Sequence, residues 1–258
     1  MIRIHVRRLY ADRRLLICVL IAIAIGLLMA KPQVFTLAQL RAMELSDLQM
    51  RFHLPNADSV EAVVRWYAGA IHLPELAAGC STAIIPAAVL GAYVVGSCLK
   101  RPVITELFAG TPRPRVAMGL ILAVVLPGIA ISLLVFAGSL LLYGRDCFAV
   151  LGAADTWRVL APIIGWRMFF DLAAYCPVLI LAFATREMYF SFCGGAMLAV
   201  LTTVLRLLQE ELWWFPNYAL RKLVFYSGPQ PQLILPSVVL LLAAPVVALG
   251  VCHYMERS

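Results

Sequence analysis

The sequence predicts an all-α, polytopic membrane protein with six transmembrane helices and both termini in the cytosol. Hydrophobic residues make up 63% of the 258 residues and charged residues only 14%, whereas a soluble domain carries about 25% charged residues. The mean hydropathy is +0.90. Six apolar runs approach or exceed the length of a membrane span, and every connection assigned to the cytosol carries Lys or Arg, as the positive-inside rule requires.

The N-terminal segment, residues 1–14, alternates basic and apolar positions. This pattern predicts an amphipathic helix on the membrane surface, with a disordered basic tail as the alternative. The first apolar run, 15–30, is not followed by a small-residue cleavage site. We therefore expect a first span rather than a cleavable signal peptide.

Residues 31–74 are expected to form an external helical loop. Thr36 with a Gln three residues later has the spacing of a capping box, which predicts a first helix there. A second helix is expected to begin near Ser59. Trp66 and Tyr67 on that helix are expected to touch the membrane surface, where aromatic side chains are enriched.

The remaining spans follow as apolar runs separated by short polar or Pro-marked segments. Pro127 predicts a kink in the third span, and small residues in the second and fifth spans predict close helix packing. The spans are placed at 76–98, 116–143, within 159–185, at 188–208 and at 233–252. Their connections are a loop at 144–157, a turn at 186–187, an amphipathic external segment at 209–232 and a polar tail at 253–258. The Trp213-Trp214-Phe215-Pro216 cluster in the third of these predicts either an aromatic belt at the membrane interface or a pair of short helices that re-enter the outer leaflet.

The segment 99–115 connects the second and third spans on the cytosolic side. Thr105 and Glu106 are expected to start a short helix, since an acidic residue is favourable in a first turn. Gly110 then ends that helix and Pro112 prevents it from resuming.

Leu107 and Phe108 are apolar residues within this otherwise polar and basic segment. We expect them to contact a partner protein, which makes the short helix a docking element. The alternative is a plain cytosolic loop whose charges only fix the topology.

The deepest charges of the chain are Arg167 and Asp171, four residues apart in the fourth span. This spacing lets the two side chains pair on one helix face. One interpretation is a polar pair that lines a substrate path. The other is a self-compensating pair near the membrane interface, beside Trp166.

No catalytic, cofactor or metal site is predicted. All four histidines lie outside the spans, and no GxSxG, CxxC or GxxxxGK[ST] pattern occurs. Glu210-Glu211 resembles the EExxxR signature of intramembrane endopeptidases, but Phe215 stands where the Arg should be. The arginines at the ends of apolar runs do not favour nucleic acid as a partner, and pairing of Cys80 with Cys147 stays open.

The six-span layout and the run from Glu106 to Arg115 resemble permease subunits of the ABC type-2 exporter family. The shared pattern is Glu-x(3)-Gly-Thr followed by a Pro/Arg-containing turn. The resemblance implies that the whole chain, 1–258, is one permease domain and that 1–14 is a connecting elbow helix. It also implies external re-entrant helices at 209–232.

The resemblance further implies that Thr105, Glu106, Leu107, Phe108 and Gly110 form a coupling helix in a groove of a cytosolic ABC ATPase. ATP would be hydrolysed in that separate chain, and substrate would cross the bacterial cytoplasmic membrane between this chain and a second permease subunit, identical or related. Membrane lipid is the remaining partner. The alternatives are an intramembrane protease-like enzyme and a non-transporting assembly or immunity protein. The long first external segment leaves room for an added external role.

Overall fold

The computed structural model describes residues 9–29, 35–79, 84–207, 216–227 and 230–257. Every regular element in these ranges is a helix. The first six are α1 (Arg13–Met29), α2 (Leu37–Arg41), α3 (Leu45–Phe52), α4 (α-helical over Val60–Tyr67 and Leu73–Gly79, π-helical over Ala68–His72), α5 (α-helical over Ile84–Leu90 and Gly96–Cys98, π-helical over Gly91–Val95) and α6 (Arg101–Gly110). The others are α7 (Arg113–Tyr143), α8 (Arg145–Leu151), α9 (Ala153–Thr185), α10 (Met188–Leu207), α11 (α-helical over Pro216–Lys222, π-helical over Leu223–Ser227) and α12 (Pro231–Arg257).

Three of the described helices are long and apolar enough to cross a membrane. They are α7, α9 and α12, whose most apolar 18-residue stretches have mean hydropathies of 2.8, 1.8 and 2.5, respectively. A fourth span is present if Ala87–Cys98 and Val103–Ala109, which are bent by 72° relative to each other, count as one. The all-helical class and several apolar helices compatible with membrane insertion are therefore confirmed, whereas six spans and their orientation stay predictions.

Helix α9 is the centre of the bundle. It packs against α5, α7, α10, α11 and α12, and also against the end of α4. Over the most apolar 18 residues of α9, 56% of the residues are buried, compared with 39% over the same length of α7 and 17% over that of α12. A charged side chain buried in the apolar part of α9 therefore has to be satisfied by protein rather than by lipid headgroups.

Small residues bring the helices together, as the sequence predicts. A side chain added at Gly195 of α10 would place its Cβ 2.4 Å from the Cβ of Ala88 on α5. A Cβ added at Gly91 would lie 3.2 Å from Cγ1 of Val178 on α9. These contacts are typical of membrane helices, whose association depends on close packing rather than on apolar burial from water.

Pro127 lies inside α7 and has no N–H to donate to the carbonyl of Ala123, four residues earlier. The hydroxyl of Tyr10 donates to that carbonyl at 2.5 Å. The segment before α1 therefore compensates the hydrogen bond that the proline removes.

The residues just before α1 fold against the bundle. Residues 1–8 of the predicted amphipathic helix lie outside the described part. Asp12 accepts hydrogen bonds from the hydroxyl of Tyr93 and, at 2.9 Å, from the backbone N–H of Arg14. These two bonds, the Tyr93 bond foremost, hold the pKa of Asp12 below its usual value.

The external helices begin where the sequence places them. Thr36 Oγ1 accepts from the N–H of Gln39 at 3.3 Å and Gln39 Oε1 accepts from the N–H of Thr36 at 2.9 Å, so the capping box is confirmed. Ser59 caps α4 through the N–H of Ala62.

Tyr67 does not face the membrane surface, contrary to the prediction. It shares the buried stripe of α4 with Val63 and Val64 and is only 2% exposed, whereas Trp66 is 39% exposed. Neighbouring residues on a helix point about 100° apart, so the two aromatic side chains cannot share a face.

Two predicted irregular segments are helical. The loop placed at 144–157 contains α8 and the first turn of α9, and the chain reverses at Gly152, whose φ of 81° suits glycine. The polar tail placed at 253–258 is the last turn of α12 as far as Arg257. Polar residues can belong to the ends of these helices, because only the stretch of a membrane helix that lies in lipid has to be apolar.

Candidate functional site

The predicted docking element is a helix, α6, that begins earlier than expected. It starts at Arg101, with Pro102 in its first turn, and not at Thr105. Pro is favourable there because the first N–H groups of a helix have no intrahelical acceptor. Its end is as predicted: α6 stops at Gly110, Thr111 is extended, and Pro112 precedes α7.

One face of α6 is anchored in the bundle. Ile104 and Leu107 are 4% and 0% exposed and belong to the same core cluster as Val116 and Leu120 of α7. The sequence assigned Leu107 to a partner contact, but its surface is already covered by its own chain. The three-residue spacing of Ile104 and Leu107 makes this inward face.

The other face of α6 is open. Thr105 and Glu106 are exposed and Phe108 is half-buried. Phe108 also lines an open concavity of about 450 Å³ together with Thr111, Pro112, Arg113 and Pro114. Of the coupling residues predicted from the sequence, Thr105 and Glu106 are thus exposed, Phe108 is partly covered and Leu107 is buried.

Arg113 connects this concavity to the last helix. Its Nη1 donates to Nδ1 of His253, on the last turns of α12, at 2.9 Å. At the turn between α9 and α10, Arg186 stacks over the ring of Tyr254, 5.0 Å from its centroid. The segment 99–115, the predicted turn 186–187 and the end of α12 therefore lie at one end of the bundle.

The second predicted site is a buried ion pair inside the bundle. Nε of Arg167 lies 3.4 Å from Oδ2 of Asp171, and the two residues are 1% and 3% exposed. Arg167 stacks over the ring of Phe136 on α7, two turns before Tyr143, which places it about 10 Å inside the end of that helix. Both side chains are buried among helices, and the two interpretations of the pair stay predictions.

Arg167 also reaches a third element. Its Nη1 donates to the carbonyl of Ala77 at 2.8 Å. Ala77 lies in the final described turn of α4. The guanidinium of Arg167 therefore ties α9 to this turn through a backbone carbonyl.

Two buried polar residues beside this pair were missed in the sequence. Tyr175, one turn after Asp171 on α9, hydrogen-bonds through its hydroxyl to Oγ of Ser132 on α7 at 2.9 Å. Gly128, one turn from Ser132, leaves room for the tyrosine ring, because a Cβ there would lie 2.8 Å from it. The sequence signal for them was a polar residue at every fourth position, 167, 171 and 175, because residues four apart lie on one helix face.

A second ion pair holds the end of α4 from outside. Nη2 of Arg221 on α11 lies 3.2 Å from Oε1 of Glu75, whose side chain is 3% exposed. The segment Leu73–Gly79 is thus fixed by Arg221 on one side and by Arg167 on the other. Part of the predicted external connection at 209–232 is therefore helical and packs on the bundle, while residues 208–215 and 228–229 lie outside the described ranges.

Several other sequence hypotheses cannot be placed. Glu210, Glu211 and Cys80 lie outside the described residues, and Cys147 is buried on α8 with a free thiol. Within the described ranges, no group of three or more His, Cys, Asp or Glu side chains could hold a metal ion.

The chain thus carries two candidate sites: an open surface around α6 at one end and a buried ion pair nearer the other. The first suits contact with another protein, and the second suits the fixing of helices within the bundle. Comparisons with protein-family models, with curated proteins and with solved structures give no match.

Proposed function

We propose that the chain is the transmembrane permease subunit of an ATP-driven ABC exporter of the bacterial cytoplasmic membrane. ATP is hydrolysed in a separate cytosolic chain, and substrate passes between two permease subunits. The observation that carries the proposal is α6, a short helix bent by 72° from the preceding apolar helix and placed directly before α7. It exposes Thr105 and Glu106, and the half-buried Phe108 lines the concavity beside them.

In this proposal six helices cross the membrane with both termini in the cytosol: α1, α5, α7, α9, α10 and α12. The contacts Arg113–His253 and Arg186–Tyr254 support this orientation, since they join three of the connections assigned to the cytosol. The arginines at this end agree with the positive-inside rule.

Helix α6 is placed to transmit the movement of a partner protein to the membrane helices. Thr105 and Glu106 are exposed on its outer side, and Ile104 and Leu107 hold its inner face in the core beside α7. Closure of two ATPase chains would move α6 as a rigid body, and the packed contacts would transmit that movement to α5 and α7. The uncovered part of the Phe108 ring favours an apolar groove as the partner surface.

The buried pair has a different role in this proposal. Arg167 is engaged by Asp171, by the carbonyl of Ala77 and by the ring of Phe136. These contacts favour a clamp between α9, α4 and α7 over a polar lining of an open substrate path.

Phe108→Asp tests the coupling surface. The chain is co-expressed with a candidate ABC ATPase, and co-purification, ATP hydrolysis and ATP-driven transport are measured in vesicles. The variant is expected to lose ATPase association, because a carboxylate replaces the aromatic contact and is poorly solvated in an apolar groove. Glu187→Gln is the matched control, since Glu187 is exposed at the same end but outside the concavity. Full association and transport by Phe108→Asp would rule out the coupling assignment.

A further inference from the structure

Two Arg–Trp neighbours, distant in the sequence, form one surface at the opposite end of the bundle. Arg65 and Trp66 lie on α4, and Trp157 and Arg158 lie in the second turn of α9. Asp155 joins them: its Oδ2 is 3.3 Å from Nη2 of Arg65 and its Oδ1 is 3.3 Å from Nη1 of Arg158. We call these five residues the Arg–Trp patch.

The tryptophan rings of the Arg–Trp patch are supported from behind and open in front. Trp66 packs on Phe52 with ring centroids 6.1 Å apart, and Trp157 packs edge-on against Phe148 at 6.4 Å. The two tryptophans nevertheless remain 39% and 50% exposed. Each ring is thus held in place by an aromatic neighbour while part of its surface faces outward.

The charges of the Arg–Trp patch do not balance. One carboxylate serves two guanidinium groups, whose side chains are 61% and 82% exposed. Asp155 can accept from each of them, but one positive charge and several N–H donors are left over. An anion with several acceptor oxygens is the complementary partner, and guanidinium groups favour phosphate in that role.

The Arg–Trp patch lies where helices leave the apolar part of the bundle. On the same helical segment as Trp66, His72 donates from Nε2 to the carbonyl of Tyr143, the last residue of α7, at 3.0 Å. Trp66 is six positions before His72 and so lies about 9 Å further along that segment. Trp157 lies at the start of α9, before its apolar stretch, so both rings fall in the zone where tryptophan is enriched in membrane proteins.

We propose that the Arg–Trp patch binds the headgroup phosphates of lipids in the leaflet at this end, with Trp66 and Trp157 inserted between headgroup and acyl chain. Arg65 and Arg158 supply the phosphate contacts, and Asp155 holds the two arginines at a fixed separation. The external helices are then seated on the membrane surface and do not project from it. This surface does not depend on the proposed transport function.

Tryptophan fluorescence in vesicles tests the proposal. The full chain is reconstituted in phosphatidylcholine carrying bromine near the headgroup end of the acyl chain, and its quenching is compared with that of the double variant Trp66→Phe/Trp157→Phe. The difference between the two signals reports on these two rings alone. We expect that difference signal to be quenched by brominated lipid and to be protected from iodide in the water. The reverse pattern, quenching by iodide and not by lipid, would overturn the proposal.

A second pair of variants tests the phosphate contacts. Replacing half of the phosphatidylcholine by phosphatidylglycerol is expected to increase the lipid quenching of the parent chain, and high salt is expected to remove the increase. Arg65→Gln/Arg158→Gln should keep the two tryptophans but lose the increase. If this variant gains as much as the parent chain, the arginines do not contact the headgroups. A folded state is verified for each variant by its elution volume and helical circular dichroism.

Discussion

Asp171→Asn is the most informative single change in the bundle. It keeps the shape of the side chain but removes the charge that compensates Arg167, 3.4 Å away and 1% exposed. Breaking a buried pair from one side costs about 3–5 kcal/mol, because the remaining charge is left without a counter-charge in a medium that solvates it poorly. We expect a loss of about that size, which lowers the folding equilibrium constant by about two to four powers of ten.

The double variant Arg167→Met/Asp171→Leu separates the charge from the packing. It removes both charges and leaves only the carbonyl of Ala77 without its donor, at a cost of about 1–3 kcal/mol. We therefore expect the double variant to be more stable than Asp171→Asn, although it changes twice as many residues. Asp155→Asn serves as the exposed control, where losses of about 0–1 kcal/mol are expected.

Unfolding by SDS in mixed micelles, followed by circular dichroism, measures the three free energies. Equal losses for Asp171→Asn and the double variant would mean that packing, and not the uncompensated charge, sets the cost. A loss for Asp171→Asn no larger than that for Asp155→Asn would refute the buried pair altogether.

Three further changes test other contacts. Gly195→Ala is expected to destabilise the chain by about 1–3 kcal/mol through overpacking against α5. Gly165→Ala is the control: its added Cβ has no neighbouring atom within 4 Å, so we expect it to be neutral or stabilising by up to about 1 kcal/mol. The same SDS titration compares the two variants. Burial, with the nearby charge of Asp146 adding to it, raises the pKa of the Cys147 thiol to about 12. The reactive thiolate is therefore scarce at pH 8, and we expect maleimide to label this thiol only after unfolding, as mass spectrometry of the labelled peptide would show. Tyr10→Phe should cost about 0.5–1.5 kcal/mol by freeing a carbonyl of α7, and an unchanged unfolding midpoint would count against that bond.

Helix ends that carry a capping residue or a glycine stop are the part of the fold that the sequence predicts well. Thr36 and Ser59 cap helices through side-chain oxygens. Helix α6 ends at Gly110, and the next residue, Thr111, is extended. These signals are local, since a cap needs only residues within one turn. Helical polar segments are harder to predict: α8 and the last turn of α12 are helical because neighbouring elements hold them, and their composition does not distinguish them from loops.

Side-chain direction is the part that the sequence does not supply. Leu107 was expected to meet a partner, but it faces α7, because the bend before α6 turns that side inward. The pairing of Arg167 with Asp171 follows from their spacing along one helix. Its contact with Ala77, 90 positions earlier in the chain, depends on where α4 ends in space. Long-range contacts of this kind decide whether a charge lines a path or clamps helices together.

The bond from Tyr10 to Ala123 changes how deletion experiments on this protein should be interpreted. Removing the first ten or so residues would ordinarily be taken to test a membrane-surface anchor. Here the same deletion also removes the Tyr10 hydroxyl, which donates to the carbonyl of Ala123. Pro127 leaves that carbonyl without its helical donor, in a helix that begins more than 100 positions later. A defective truncation would therefore be ambiguous until Tyr10→Phe, which keeps the aromatic ring and the whole segment, has been compared with it.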